Sequence, residues 1–250
     1  MNGIEKIKSS LRELLKDREI IARCELLNRI YDFVRNAKLT PEEKDELQRI
    51  VGKEIAPGIF ASMMSDSPIF FDLPRLDTYT QMNGRIFHFL HTQSYSKQDF
   101  DNACRKFLLS LPELRSILRR NLFDLLADFM DGADYKLIER SPSGIKFEAG
   151  DRKINAFIFT SIKSVDLRKC KSDAGDDCVI LVPSSESLEP FVKFYREQSN
   201  DVEASKIQIW IANMEQGTID PFIGYTTDMD IYKQFKNPRL AEMVRSHWKR

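Results

Sequence analysis

Apolar residues recur at helical spacing through the first part of the chain. Ile4, Ile7, Leu11, Leu14 and Leu15 form one stripe. Ile20, Ile21, Cys24, Leu27, Ile30, Tyr31 and Val34 form a second. Thr40-Pro41-Glu42-Glu43 supplies an N-cap, a proline at the first helical position and a capping-box glutamate, predicting a helix through about Val51. Gly58 follows a proline and breaks the pattern, and Pro57–Tyr79, with Pro68 and Pro74, reads as irregular or as short turns. Helix is expected again over Arg85–Leu90 and, capped by Ser96, over Gln98–Leu111. A further helix is expected over Pro112–Met130, where Leu111, Leu114, Leu118, Leu122, Leu125 and Phe129 make a continuous stripe ended by Asp131-Gly132.

After Gly132 the period shortens towards two. Tyr135–Arg140, Ile145–Glu148 and Ile154–Ile162 read as three strands joined by the turns Ser141-Pro142-Ser143-Gly144 and Gly150-Asp151. Cys178–Val182 is apolar at every position, as a strand covered on both faces would be. Leu188, Phe191, Val192 and Tyr195 mark a helix, and Ile207, Ile209 and Ile211 another strand, which implies a right-handed parallel crossover. Asn237-Pro238 opens a closing helix with Leu240, Met243, Val244 and His247 aligned. The predicted fold class is α+β: a helical N-terminal domain over residues 1–110, then an α/β domain with a mixed sheet over residues 111–250.

Lys plus Arg and Asp plus Glu balance at 38 each, so a uniformly basic nucleic-acid binder is disfavoured while a local basic patch stays open. No run of about 18 apolar residues suggests a membrane span, and the charged start Met1-Asn2-Gly3-Ile4-Glu5-Lys6 lacks a signal-peptide core. The four cysteines, Cys24, Cys104, Cys170 and Cys178, have neither metal-type nor disulfide-framework spacing. A cytoplasmic, reduced location with no membrane partner is expected.

The order of one helix, three strands, and then a strand-helix-strand unit over residues 111–213 resembles the PD-(D/E)XK restriction-endonuclease-like superfamily. Gly132-Ala133-Asp134-Tyr135-Lys136-Leu137-Ile138-Glu139-Arg140, followed by Gly144-Ile145-Lys146, is similar to that family's passage from strand one to strand two. The resemblance implies an acidic residue opening the second strand, where this chain has Lys146. It also implies an acidic residue and, two positions on, a lysine in the third strand. Here Asn155-Ala156-Phe157-Ile158-Phe159-Thr160-Ser161 offers only Ala156 with Ile158, or Phe157 with Phe159. Phosphodiester hydrolysis in that family needs carboxylates around a hard cation and a lysine near the attacking water. The ordinary reaction is therefore expected to be lost, with no cofactor and no metal in the usual place.

A displaced site would draw on Glu113, Glu148 and Asp151. The plainer reading is that these acids solvate turns and strand ends. His88 and His91 could begin a metal site if helical, but no further ligand has matching spacing. Ser184-Ser185-Glu186-Ser187 lies where phosphate cradles occur, yet it has no glycine, and helix capping explains the serines. Two basic groups could contact nucleic-acid phosphates: Arg115, Arg119 and Arg120 on the long helix, and Lys163, Arg168, Lys169 and Lys171 after the third strand, with Lys146 between them. The alternative is a solvated surface compensated by Asp166, Asp173, Asp176 and Asp177. Trp210 and Trp248 are expected in a core or interface, and Phe222, Tyr225, Tyr232 and Phe235 form a cap or a self-association surface.

Three functions remain open: a non-catalytic nucleic-acid-associated protein on a nuclease-like scaffold, with DNA or RNA as partner; a protein-interaction or assembly module; and a nuclease with a displaced metal site.

Overall fold

The computed structural model describes residues 3–16, 18–65, 76–82, 85–141, 144–170, 176–184 and 188–237. The chain divides into two compact units, Met1–Leu118 and Arg119–Arg250. The division falls inside one long helix.

Unit 1 is helix-rich. Helix α1 (Gly3–Lys16), α2 (Arg23–Asn36), α3 (Pro41–Val51) and α4 (Ile55–Met64) pack together. Their apolar stripes meet at Ile7, Leu11, Leu26, Ile30, Leu47 and Ile59, each almost wholly buried. The capping box expected at Thr40 is formed: Glu43 N donates to Thr40 Oγ1 at 3.3 Å, and Thr40 N to a Glu43 carboxylate oxygen at 3.0 Å.

Several expectations fail here for one reason: strand and helix compete for short apolar runs. Ile20–Ala22 is strand β1 rather than the first turn of α2. Arg85–His91 is strand β3, not helix, and its antiparallel partner β2 (Leu76–Met82) begins inside the stretch read as irregular. Aromatic and β-branched side chains in Arg85–His91 suit a pleated, half-buried surface better than a helix. The sheet order is β1-β3-β2. Phe87 and Phe89 on β3 face Phe100, Ala103, Cys104 and Phe107 of helix α5 (Lys97–Gly132).

Gly58 does not break the chain but lies within α4, because its missing side chain lets the helix close on α3. A Cβ there would stand 2.0 Å from the Val51 carbonyl oxygen. Pro112 likewise fails to end a helix. It sits inside α5 on an exposed side, where water can serve the carbonyl that loses its amide donor.

Unit 2 holds a six-stranded mixed sheet whose strands lie side by side in chain order. These are β4 (Lys136–Ser141), β5 (Gly144–Ala149), β6 (Arg152–Ile158), β7 (Asp177–Pro183), β8 (Ile207–Asn213) and β9 (Thr218–Ile223). The pairs β4–β5, β5–β6 and β8–β9 are antiparallel, and β6–β7 and β7–β8 are parallel. Strand β6 stops at Ile158, not Ile162; a 3-10 turn at Ile162–Ser164 begins the crossover to β7. Helix α6 (Leu188–Ala204) makes the second crossover, as expected.

Register fixes the two faces. Lys146, Asn155, Cys178 and Ile207 are successive neighbours on one face; Ile145, Ala156, Val179 and Gln208 are neighbours on the other. The first face packs Cys178, Ile180 and Ile209 with Ile162, Cys170 and Phe191 beneath α6. On the second, Trp210 packs against Phe129 of α5 at 5.4 Å between ring centres and against Phe235 at 5.3 Å. Trp210 is thus a core residue. A short helix, α7 (Met229–Gln234), precedes Phe235, and the closing helix expected from Asn237-Pro238 lies outside the described residues, as does Trp248.

Replacing Gly58 with alanine tests the tight approach in α4. An exposed helical Gly→Ala change gains up to about 1 kcal/mol. Here the backbone clash should reverse the sign and cost about 1–3 kcal/mol, read as a lower urea midpoint with an unchanged slope.

Candidate functional site

The four strands that run the same way, β4, β6, β7 and β8, give the sheet of unit 2 an amino end and a carboxyl end.

At the amino end, the loop after α5 delivers Tyr135, whose hydroxyl donates to Asp228 Oδ2 at 2.7 Å. Arg152, opening β6, donates to the same oxygen at 2.6 Å and to Asp230 at 3.2 Å, with its guanidinium 5.2 Å from the Tyr135 ring centre. Asp228 also caps α7, accepting from the Asp230 and Ile231 amides. Burial alone would raise the Asp228 carboxyl. The Tyr135 hydroxyl, those amides and Arg152 outweigh it and hold the group below the usual carboxylate range. Burial, with Asp228 and Asp176 nearby, pushes the neighbouring Asp177 upward. Asp176 accepts from the Asn155 amide at 2.9 Å. The sequence reading missed this network, because Tyr135, Arg152 and Asp228 are far apart in the chain.

At the carboxyl end lie Arg140 and Lys163, while Lys146, in the row of Asn155, Cys178 and Ile207, sits within β5 away from that end. Arg140 stacks on the Phe123 ring of α5 at 3.7 Å, which fixes that turn of the helix beside the end of β4. Arg119 and Arg120, one turn earlier, are exposed beyond that end. The helix runs about 16 Å from Arg119 to Met130, close to the length of β4, so its two ends match the strand's. Lys163 is exposed on the 3-10 turn just past β6, on the opposite face of the sheet.

The second basic group is therefore split. The crossover runs under the α6 face, where the Cys178 thiol reaches the Cys170 carbonyl near the start of β7. Arg168 and Lys169, just before Cys170, sit towards the amino end, and Lys169 is 3.8 Å from Asp166. Lys171 lies outside the described residues. Arg115 belongs to the unit 1 part of α5, where it is exposed. Arg140, which the sequence reading did not single out, joins Arg119, Arg120 and Lys163, and Lys146 stands apart within β5. The signal available for it was its place at the end of a strand just before a turn.

The positions where a restriction-type nuclease keeps its acids and lysine hold other chemistry. Lys146 is half-exposed and 3.9 Å from Glu139. Beside it on β6, Asn155 is buried and committed to Asp176. The Phe157 ring lies over Gly144, where an added Cβ would meet it at 3.4 Å. Ala156 is buried against Ile145.

The displaced carboxylate set does not assemble either. Glu148 pairs with Lys153 at 3.1 Å and Asp151 is exposed in the β5–β6 turn. Glu113 belongs to unit 1, where a 2.9 Å bond from Arg29 pulls its carboxyl below the usual range. Among the described residues no group of three or more His, Cys, Asp or Glu is placed to hold a metal ion.

The histidines part company because a strand, unlike a helix, sends positions three apart to opposite faces. His91 is buried between the Thr78 hydroxyl at 2.7 Å and the Gln93 carbonyl at 2.6 Å; His88 is exposed against Tyr79. Ser184 is exposed after β7, and Ser185 to Ser187 lie outside the described residues.

Residues 121–237 match a family model described as a domain of unknown function, DUF6834, C-terminal domain. The matched span takes in all six strands of the unit 2 sheet with α6 and α7, and begins just after Arg119 and Arg120. No curated protein matches the chain. No helix among the described residues is long and apolar enough to cross a membrane.

The amino-end network has a pH signature. Asp228→Asn should cost about 1–3 kcal/mol at pH 7, the range for losing buried charge-assisted hydrogen bonds. A depressed carboxyl stabilises the fold above its unfolded pKa, about 4, and loses that contribution as pH falls through its lower folded value. The gap between wild type and Asp228→Asn in urea unfolding should stay constant from pH 8 to pH 5 and close only in stronger acid.

Proposed function

We propose that unit 2 is a restriction-endonuclease-like scaffold without the hydrolytic residues, and that it binds the phosphate backbone of a nucleic acid at the carboxyl end of its sheet. The gathering of Arg119, Arg120, Arg140 and Lys163 at that one end, on both faces, carries the reading. Basic side chains on either side of a sheet end can straddle a strand and meet phosphates on both its flanks. The scaffold part of the proposal draws on the helix-first order and on strands set side by side in chain order, with β5 and β9 reversed. Lys146, Ala156 and Phe157 at the positions of the acids and lysine support loss of hydrolysis. Such a protein would protect, present or measure nucleic acid for another component.

A second reading, an assembly module, has its own observation. Strand β4 is an open sheet edge with all but its last residue exposed, including Leu137 at 46% and Ile138 at 57%. A bulge between Leu137 and Glu139 interrupts its ladder, a device that discourages edge-to-edge pairing, which is why this reading stands second.

Fluorescence anisotropy of labelled duplex and single-stranded DNA and RNA across a salt series, with magnesium, separates the two. Log affinity should fall linearly with log salt, with a slope of about −3 to −4 for four or five contacted phosphates. Arg119→Glu with Lys163→Glu should weaken binding and flatten the slope. Arg168→Glu with Lys169→Glu, nearer the other end, should change little. The label should stay on an intact strand. Absence of binding at low salt would reject the nucleic-acid reading in favour of the assembly module, and cleavage would reject the loss of hydrolysis.

A further inference from the structure

Unit 1 contains a half-open cavity of about 310 Å3, in the size range of small-ligand sites. Its floor is apolar and closed to solvent: Phe89 is 1% exposed, Ala22 3% and Ala103 8%. Phe107 of α5 flanks this floor.

The charged groups around the hollow are unevenly committed. Glu25, 2% exposed, is held by Arg18. Glu19 accepts from the Tyr95 hydroxyl at 3.0 Å. Asp99 accepts from the Ser96 amide at 2.9 Å and hydroxyl at 2.7 Å. All three acids thus have donors. Lys16, ending α1, and Lys106, on α5, also line the cavity, and neither makes an ion pair or hydrogen bond with a described residue. Among the described lining residues, the charged groups left without a partner are therefore two ammonium groups brought to one hollow by different elements, with the Asn102 amide also in the lining.

We propose that this cavity binds a small organic anion built on a flat apolar ring, its ring against the partly exposed Phe107 and its carboxylate or phosphate within reach of Lys16 and Lys106. A cationic ligand would find its acids already engaged. A purely apolar one would leave both ammonium groups without a counter-charge. The site belongs to unit 1 and stands or falls independently of the nucleic-acid reading.

Isothermal titration of the full chain with indole-3-acetate and with adenosine monophosphate tests it, using tryptophol and adenosine as uncharged counterparts. At least one anion should bind below about 1 mM and about tenfold tighter than its counterpart. Whichever binds tells carboxylate from phosphate. Lys16→Glu and Lys106→Glu should each weaken it about threefold or more, as loss of an ion pair at a wet rim does. Both lysines are exposed, so thermal unfolding should hold steady. Ala103→Leu, filling the hollow, should abolish binding; should that variant unfold, the lysine variants decide alone. Anions that fail to bind at about 10 mM, bind no better than their neutral counterparts, or bind both lysine variants undiminished would overturn the proposal.

Discussion

The contact between the last turns of α5 and Trp210 orders the rest of unit 2. Trp210 is buried to 1% and meets Phe129 from the helix and Phe235 from beyond α7. Core aromatics of this kind are worth about 3–5 kcal/mol each when truncated, so this cluster is a large share of a domain's net stability. It clamps the helix to one face of the sheet. With that face occupied, the crossover from β6 and helix α6 take the other, and the β6–β7–β8 run is covered on both sides. The apolar stretch Cys178–Val182, buried at every residue, is the sequence's answer to that double cover.

The clamp also decides where charge can go. With the faces of the central strands covered, ionised groups are left the two sheet ends and the β4 edge. At the amino end, burial and then the nearby Asp228 and Asp176 push Asp177 upward, and the Tyr135–Asp228–Arg152 network keeps the chain after β9 tied to the start of β6. The carboxyl end carries Arg119, Arg120, Arg140 and Lys163, and among the described residues no three His, Cys, Asp or Glu side chains gather to hold a metal. A balanced total charge therefore coexists with a local excess along the strand axis. That separation is what makes a backbone-contacting role physically reasonable despite a neutral composition.

Much of unit 2 was legible in the chain. The long amphipathic stripe to Phe129, the alternation from Tyr135, the turns at Gly144 and Gly150, and the uniformly apolar Cys178–Val182 each carry a period or a turn residue that admits one reading. Unit 1 was less so. Arg85–His91 has apolar or aromatic residues on both sides, since Leu90 is buried on one face and Phe89 on the other, and such a run has no period to read. Gly58 and Pro112, strong local breakers, were overridden by a backbone close approach in one case and by solvent access in the other. The carboxyl-end cluster was half visible: Arg119, Arg120 and Lys163 stood out as basic residues, whereas Lys146 lies within β5 away from that end. Only the chain path under α6 separates Lys163 from Arg168 and Lys169, and only the Phe123 stack brings in Arg140.

Hydrogen–deuterium exchange of the full chain, with and without a single-stranded or duplex oligonucleotide at low salt, addresses the central claim most directly. The account predicts slowed exchange at Arg119–Phe123, at Arg140, and from Phe159 to Lys163. Exchange should be unchanged at the Gly150-Asp151 turn and at Asp228–Asp230. Protection centred on that opposite end, or confined to unit 1, would contradict it.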